Sequence, residues 1–197
     1  MQKEKYLIVG AGRSGIASAS MLVKLNKDIV IYDSNTELDK AFVTEKIGTD
    51  KEIGFILGDI DSSALKGIDI CVVSPGVPLD TPVMKVVAQC GIPVWSEIEL
   101  AYVYDKGSVI GITGTNGKTT TTSLVYEIVK SYNENTLLVG NIEIPYTGLA
   151  LESTDGGATV AEISSFQASA AAFLMSVSGI FRSVKMLTRL FVIISSL

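Results

Sequence analysis

No histidine occurs anywhere among the 197 residues, and that absence removes imidazole from every chemical proposal. A Ser-His-Asp triad, a histidine metal ligand and a histidine general base are all excluded. Cysteine is almost as scarce. Cys71 lies in an apolar run and Cys90 near the end of an amphipathic one, and they share no metal-type or redox-type spacing. Both are expected as reduced core residues of a cytoplasmic protein. No basic cluster stands out, and 16 basic against 21 acidic residues leave a net charge of −5. That balance argues against nucleic acid or an anionic membrane as the main partner. No uninterrupted apolar run approaches the ~20 residues needed to cross a bilayer, so no membrane span is expected. Met1-Gln2-Lys3-Glu4-Lys5 leads directly into a strand, with no signal-like segment between.

What is present is apolar residues, at 47%, and glycine in patterned places. The most informative stretch is Gly114-Thr115-Asn116-Gly117-Lys118-Thr119-Thr120. It follows a short apolar strand and precedes a segment with Leu124, Val125, Ile128 and Val129 at helical spacing. A glycine loop between strand and helix lets backbone N–H groups curl around phosphate oxygens, and the helix N-terminus adds partial positive charge. Lys118 is placed to reach the terminal phosphates and the Thr119 hydroxyl to ligate Mg²⁺. The strict form of this loop has glycine five residues before Gly117, where this chain has Ile112. A nucleoside triphosphate is the expected ligand.

A second glycine motif lies near the start. The apolar segment 6–9 precedes Gly10-Ala11-Gly12-Arg13-Ser14-Gly15, and a helix with Ile16, Ala17, Met21, Leu22 and Leu25 on one face follows. A strand over 29–32 then ends in Asp33. Strand, glycine turn, helix, strand and acid in that order describe a dinucleotide- or nucleotide-binding βαβ unit. Asp33 could accept from a ribose hydroxyl or from donor groups of a base. A purely structural turn is the alternative. Helices over 37–47 and 82–89 and strands over 53–57, 68–73 and 93–94 complete this region. The loop Ser74-Pro75-Gly76-Val77-Pro78 falls at a strand's C-terminal end, where open α/β sheets hold ligands. Further on, a strand over 136–139 leads to Gly140-Asn141, and one over 158–161 leads to Glu162. A carboxylate there, beside a phosphate loop, could bind Mg²⁺ or order its water shell.

The fold class is therefore α/β: a Rossmann-like domain over 1–94, an incomplete P-loop-type α/β domain over 95–167, and a tail over 168–197. From residue 168 no acidic residue occurs, and only Arg182, Lys185 and Arg189 carry charge amid Ser, Leu, Ile, Val and Phe. That tail reads as aberrant, as after a frameshift, with its apolar residues lacking an evident partner surface; the alternative is a divergent but genuine helix plus strand, with Phe191 to Ile194 filling a sheet position.

The ordered set of Gly10–Gly15, Ser74–Pro78, Ser96-Glu97-Ile98-Glu99-Leu100, Gly114–Thr120, Gly140-Asn141-Ile142 and Ala161-Glu162-Ile163-Ser164-Ser165-Phe166-Gln167 resembles the Mur ligases. Within the family, the resemblance is greatest to the member that joins D-glutamate to UDP-N-acetylmuramoyl-L-alanine in peptidoglycan precursor synthesis. It implies a UDP-binding domain, an ATP-binding domain and a third domain for the incoming amino acid. It also implies an acyl-phosphate route. ATP phosphorylates the L-alanyl carboxylate, and the D-glutamate amine displaces phosphate to form the amide.

By the same resemblance, Lys118 and Thr119 match triphosphate and magnesium contacts and Glu162 a magnesium ligand, with Lys118 and Glu162 acting in catalysis. Gly12, Arg13, Ser14, Ser74, Pro75, Gly76, Asn141 and Ser164 match the UDP-sugar side, and Asp33 the uracil contact. Two departures are visible. Glu143 stands where the family usually has glycine, and residues after Gln167 match neither the family's histidine ligand nor its third domain, the D-glutamate site. Weak activity, or a non-catalytic nucleotide-binding fragment, is expected on that basis. An NAD-dependent protein is a further alternative that leaves the second phosphate loop unexplained.

Overall fold

The computed structural model describes residues 4–141, 144–164 and 190–195. The chain divides into two units, Met1–Glu97 and Ile98–Leu197.

The first unit is built on five parallel strands in the order β3-β2-β1-β4-β5. They are β1 (Lys5–Val9), β2 (Asp28–Asp33), β3 (Gly54–Leu57), β4 (Ile70–Val73) and β5 (Val94–Ser96). Helices α1 (Arg13–Lys24), α2 (Lys40–Ile47) and α3 (Pro82–Gln89) connect them, and a 3-10 turn spans Ser62–Leu65. Strands covered on both faces need apolar residues throughout, not in alternation. Residues Tyr6 to Val9 and Ile29 to Tyr32 are accordingly all buried. On one face Leu7, Val9, Val30, Tyr32, Cys71 and Val73 pack against Val83, Met84 and Val87 of α3.

Local chemistry sets the boundaries. The helix expected from residue 37 begins at Lys40, because the Asp39 carboxylate accepts from the Phe42 N–H at 3.0 Å and caps it there. It ends at Gly48 in the left-handed conformation. On α1 the buried face is Gly15, Ser18, Ala19, Met21 and Leu22, so the expected inward positions of Ile16, Ala17 and Leu25 are only half-buried. Small residues face inward because the helix lies close against the strand ends. The expected burial of both cysteines holds for Cys71 alone. Cys90 is exposed, since α3 ends one residue before it and its cap turns away from the core.

The second unit has four parallel strands in the order β7-β8-β6-β9. Here β6 is Ser108–Gly114, β7 Thr136–Gly140, β8 Ala158–Glu162 and β9 Leu190–Ser195. Helix α4 (Glu97–Tyr104) leads in, α5 (Lys118–Tyr132) follows β6, and a short α6 (Tyr146–Leu149) precedes β8. Backbone pairing along Val109 to Gly114 gives β9 a partner edge in β6, the sheet position that the divergent reading of the tail gave to residues 191–194. The remainder of the 168–197 tail lies outside the described residues, as do Glu143 and Ser165 to Gln167.

Helix α5 is rotated from its expected setting. Leu124 is 60% and Ile128 52% exposed, while Thr122 is fully buried. Thr122 lies one turn beyond Lys118 and bonds that residue's carbonyl at 2.7 Å, so the face that starts in the glycine loop is the one turned inward. At the opposite end of β6, the buried Asp105 carboxylate collects three donors. The Tyr146 hydroxyl (2.7 Å), the Thr159 hydroxyl (2.6 Å) and the Gly107 N–H (2.7 Å) converge on it.

Two outcomes follow from this packing. Burial pushes the Cys71 thiol up to about 12, so it stays protonated and shielded at neutral pH. A maleimide or disulfide reagent should therefore modify Cys90 alone in the native chain, and Cys71 only after denaturation. Asp105→Ala strands the three donors and should destabilise the second unit by about 3 kcal/mol. The only tryptophan, Trp95, belongs to the first unit. Urea unfolding should thus shift in far-UV circular dichroism while the Trp95 fluorescence transition stays in place.

Candidate functional site

The first site lies at the C-terminal ends of β1, β2 and β4. After β1 the chain turns sharply at Gly10, whose φ is +97°, and enters α1 through Gly12. The turn depends on glycine at position 15. A Cβ there would stand 1.8 Å from the Gly10 carbonyl oxygen, deep inside contact distance. The Ser74 hydroxyl donates to that same carbonyl at 3.3 Å, and the Ser74 N–H donates to the Val9 carbonyl at 3.0 Å. Ser74 thus fastens the loop through Pro75 and Gly76 to the glycine turn. Gly12 has no such crowding, since nothing lies within 4 Å of its missing Cβ. Its openness leaves the backbone accessible, beside the exposed Arg13 and half-buried Ser14 at the helix start.

Asp33 ends β2 and reaches back across the turn. Its Oδ2 accepts from the Ala11 N–H at 2.8 Å and its Oδ1 from the Asn35 N–H at 2.9 Å. Beside it a cavity of about 490 Å³ opens, lined among others by Gly10, Tyr32, Asp33, Asp59, Ile60 and Val77. Burial, and then the charges of Asp33 and Asp59, push the Tyr32 phenol above its ordinary range. Its hydroxyl donates to the Gly58 carbonyl at 2.8 Å. Sequence reasoning missed Asp59, Ile60 and the α3 start at Thr81 and Pro82, which also line the cavity. They lie in connections after strands, and their one sequence signal was that position.

The second site is the loop between β6 and α5. Gly114 has φ +151° and Gly117, the residue that caps α5, has φ +71°, so both glycines occupy conformations that other residues resist. Ile112 is fully buried and its carbonyl accepts from the Ile163 N–H at 2.8 Å. It belongs to the strand, and the turn begins only at Gly114; a glycine at 112 would serve no purpose here. The Lys118 ammonium donates to the carbonyls of Gly114 (2.7 Å) and Thr115 (3.2 Å). Thr115, Asn116 and Thr120 are exposed around it. Thr113, buried at the base of the loop, has a hydroxyl with no partner among the described residues.

Glu162, 5% exposed at the end of β8, accepts from the Thr119 hydroxyl at 2.8 Å. Its carbonyl accepts from the Asn141 N–H at 3.2 Å. A Cβ on Gly140 would come within 2.2 Å of that carbonyl, so glycine is required for β7 and β8 to approach this closely. Ser164, half-buried, follows two residues after Glu162. Lys118, Thr119, Glu162 and Asn141 therefore converge at one end of this sheet. Hydroxyl and carboxylate oxygens are hard donors that suit Mg²⁺, so Thr119 and Glu162 fit that ion.

The domain family described as Mur ligase MurD-like, N-terminal domain, matches residues 4–96, and the Mur ligase middle domain matches residues 112–184. The chain belongs to the Mur ligase family. Among curated relatives of this Mur ligase chain, the UDP-N-acetylmuramoylalanine–D-glutamate ligase of Lachnospira eligens is 50% identical over 167 residues, covering 85% of this chain and 37% of that protein. The enzyme of the same name from Lachnoclostridium phytofermentans is 43% identical over 164 residues, covering 83% and 36%. The chain thus spans little more than a third of the length of the curated relatives it matches. In fold it is similar to the crystal structure of UDP-N-acetylmuramate:L-alanyl-gamma-D-glutamyl-meso-diaminopimelate ligase from Neisseria meningitides. That match has a TM-score of 0.51 at 16% identity, over 84% of this chain and 56% of that one.

The two glycines of the first turn separate stability from binding. Gly15→Ala should destabilise the first unit by about 2 kcal/mol, since the close approach to Gly10 is lost. Gly12→Ala should leave the Trp95 urea midpoint unchanged while weakening any diphosphate ligand at the turn.

Proposed function

We propose that this Mur ligase chain supplies the UDP-sugar and ATP sites of a ligase that adds D-glutamate to UDP-N-acetylmuramoyl-L-alanine. The single observation that carries the reading is the convergence of Lys118, Thr119 and Glu162 behind a glycine loop, in a chain half identical to a relative named for that reaction.

In this reading the backbone of Gly114 to Gly117 and the start of α5 receive the phosphates of ATP. Lys118 exchanges its bonds to the loop carbonyls for bonds to the terminal phosphate oxygens. Thr119 and Glu162 hold Mg²⁺, which when bound neutralises charge on the triphosphate. The terminal phosphoryl group passes to a carboxylate oxygen of the L-alanyl residue, and ADP leaves. The amine of D-glutamate then attacks the acyl carbon, forming the amide and releasing phosphate. Asn141 and Ser164 face the reacting end of the sugar-peptide. Gly12, Arg13, Ser14 and the Ser74-Pro75-Gly76 loop hold its uridine diphosphate. In domain terms, residues 1–94 hold UDP and the segment from 95 holds ATP, in a protein of the cytoplasm.

Calorimetric titration of the 197-residue chain tests the assignment. UDP and Mg·ATP should both bind, and NAD should not displace UDP. Lys118→Ala and Glu162→Gln should each weaken Mg·ATP at least tenfold, about 1.4 kcal/mol, with UDP affinity unchanged. Equal loss of both ligands, or no response to either substitution, would refute it.

A further inference from the structure

The two sheets end on four edge strands, β3 and β5 in the first unit and β7 and β9 in the second. An edge strand offers unpaired backbone N–H and C=O groups to other chains, and proteins blunt it by shortness, proline, charge or a bulge. Glycine weakens a strand in a similar way. Three of these edges are blunted by length or glycine. β3 has four residues and opens on Gly54, β5 has three and runs directly into α4, and β7 has five and closes on Gly140.

β9 is different. Its six residues, Leu190-Phe191-Val192-Ile193-Ile194-Ser195, include no charge, glycine or proline. The whole strand is in register with β6, from Leu190 against Val109 to Ser195 against Gly114. Along a strand, successive residues turn their N–H and C=O groups to opposite sides, so half of those on β9 point away from β6. No described strand pairs with them.

We propose that this outer edge of β9 is a self-association surface, and that its partner is β9 of a second copy of this chain. A two-fold axis through the strand centre pairs β9 with itself antiparallel, an isologous contact that closes after one addition. The β7-β8-β6-β9 sheets of the two copies then join at β9 into one continuous sheet. Charge selects that direction. Arg189 lies just before the strand, and parallel pairing would set it against Arg189 of the second copy. Antiparallel pairing places it beyond Ser195 of that copy, away from any like charge. The β6 strands of the two copies run in opposite directions, so their glycine loops lie at opposite ends of the joined sheet and neither copy covers the other's loop.

Light scattering on a concentration series of the 197-residue chain should show a monomer–dimer equilibrium. The register that pairs all six residues puts position 192 opposite position 193 of the second copy. Val192→Lys and Ile193→Glu each bring like charges together diagonally across the axis, so each variant alone should be monomeric. An equimolar mixture of the two sets opposite charges face to face and should restore a dimer containing one of each. Backbone amide exchange of the wild-type chain reads the same contact without any substitution. Within 190–195, every second N–H should exchange freely in dilute solution and become protected at high concentration, while β6 protects the alternate ones throughout. A wild-type chain that stays monomeric, or exchange that ignores concentration, overturns the assignment. Association that both variants leave unchanged also overturns it, and passes the contact to another surface, such as the exposed Leu124 and Ile128 of α5.

Discussion

The Gly10 carbonyl is the point on which the first unit turns. It occupies space that any side chain at position 15 would fill, and the Ser74 hydroxyl and the α1 entry are both arranged around it. The N–H groups of Gly10 and Ala11 are both taken by β2, the first by the Tyr32 carbonyl and the second by the Asp33 carboxylate. The parallel sheet then does the rest: β1, β2 and β4 deliver the glycine turn, Asp33 and the Ser74 loop to the same end. One close backbone contact thus links the sequence motif, the small-residue face of α1 and the cavity beside Asp33.

The second unit is organised by two carboxylates at opposite ends of its sheet. Asp105, with three donors, ties the segment after α4 to β8 and α6. Glu162 ties the end of β8 to the first turn of α5 through Thr119. Both are buried, but they serve different purposes. Asp105 is surrounded by donors and has the character of a structural junction. Glu162 accepts from the hydroxyl of the exposed Thr119 at the start of α5, a pairing of two hard oxygens that suits a divalent cation. A buried carboxylate is costly without partners, so the count of donors around it is a physical guide to whether it holds structure or serves ligands.

The element order, the parallel sheets and both glycine turns were legible in the chain, because they rest on local rules: apolar runs, glycine at fixed offsets, proline at the start of α3. The position of Glu162 was legible for the same reason, as an acid at the end of an apolar strand beside a glycine loop. What was not legible depends on orientation or on distant partners. Leu124 and Ile128 have helical spacing, yet spacing cannot say which face turns inward; the loop geometry at Lys118 and Thr119 decides that. Cys90 continues the apolar face of α3 by count, but the helix ends before reaching it. Asp59 and Asp105 carry no motif. One is informative because a turn 26 residues from Tyr32 bonds that hydroxyl, the other because donors 41 and 54 residues away converge on it.

A net charge of −5 is compatible with the phosphate sites proposed at the two glycine turns, because the relevant fields are local. At physiological ionic strength charges beyond ~8 Å are largely screened, so distant carboxylates contribute little at a glycine turn. What a phosphate meets there is the open N-terminus of a helix, and neither α1 nor α5 has an acidic residue in its first turn. Each helix instead opens on a cation, Arg13 or Lys118. In the first unit the acids stand farther along the path: Asp33 with its oxygens turned to backbone N–H groups, and Asp59 beyond it after β3. Charge therefore runs from positive at the β1 turn to negative at the β3 turn. A ligand with an anionic end and a hydrogen-bond-donating end would match that gradient in one direction only.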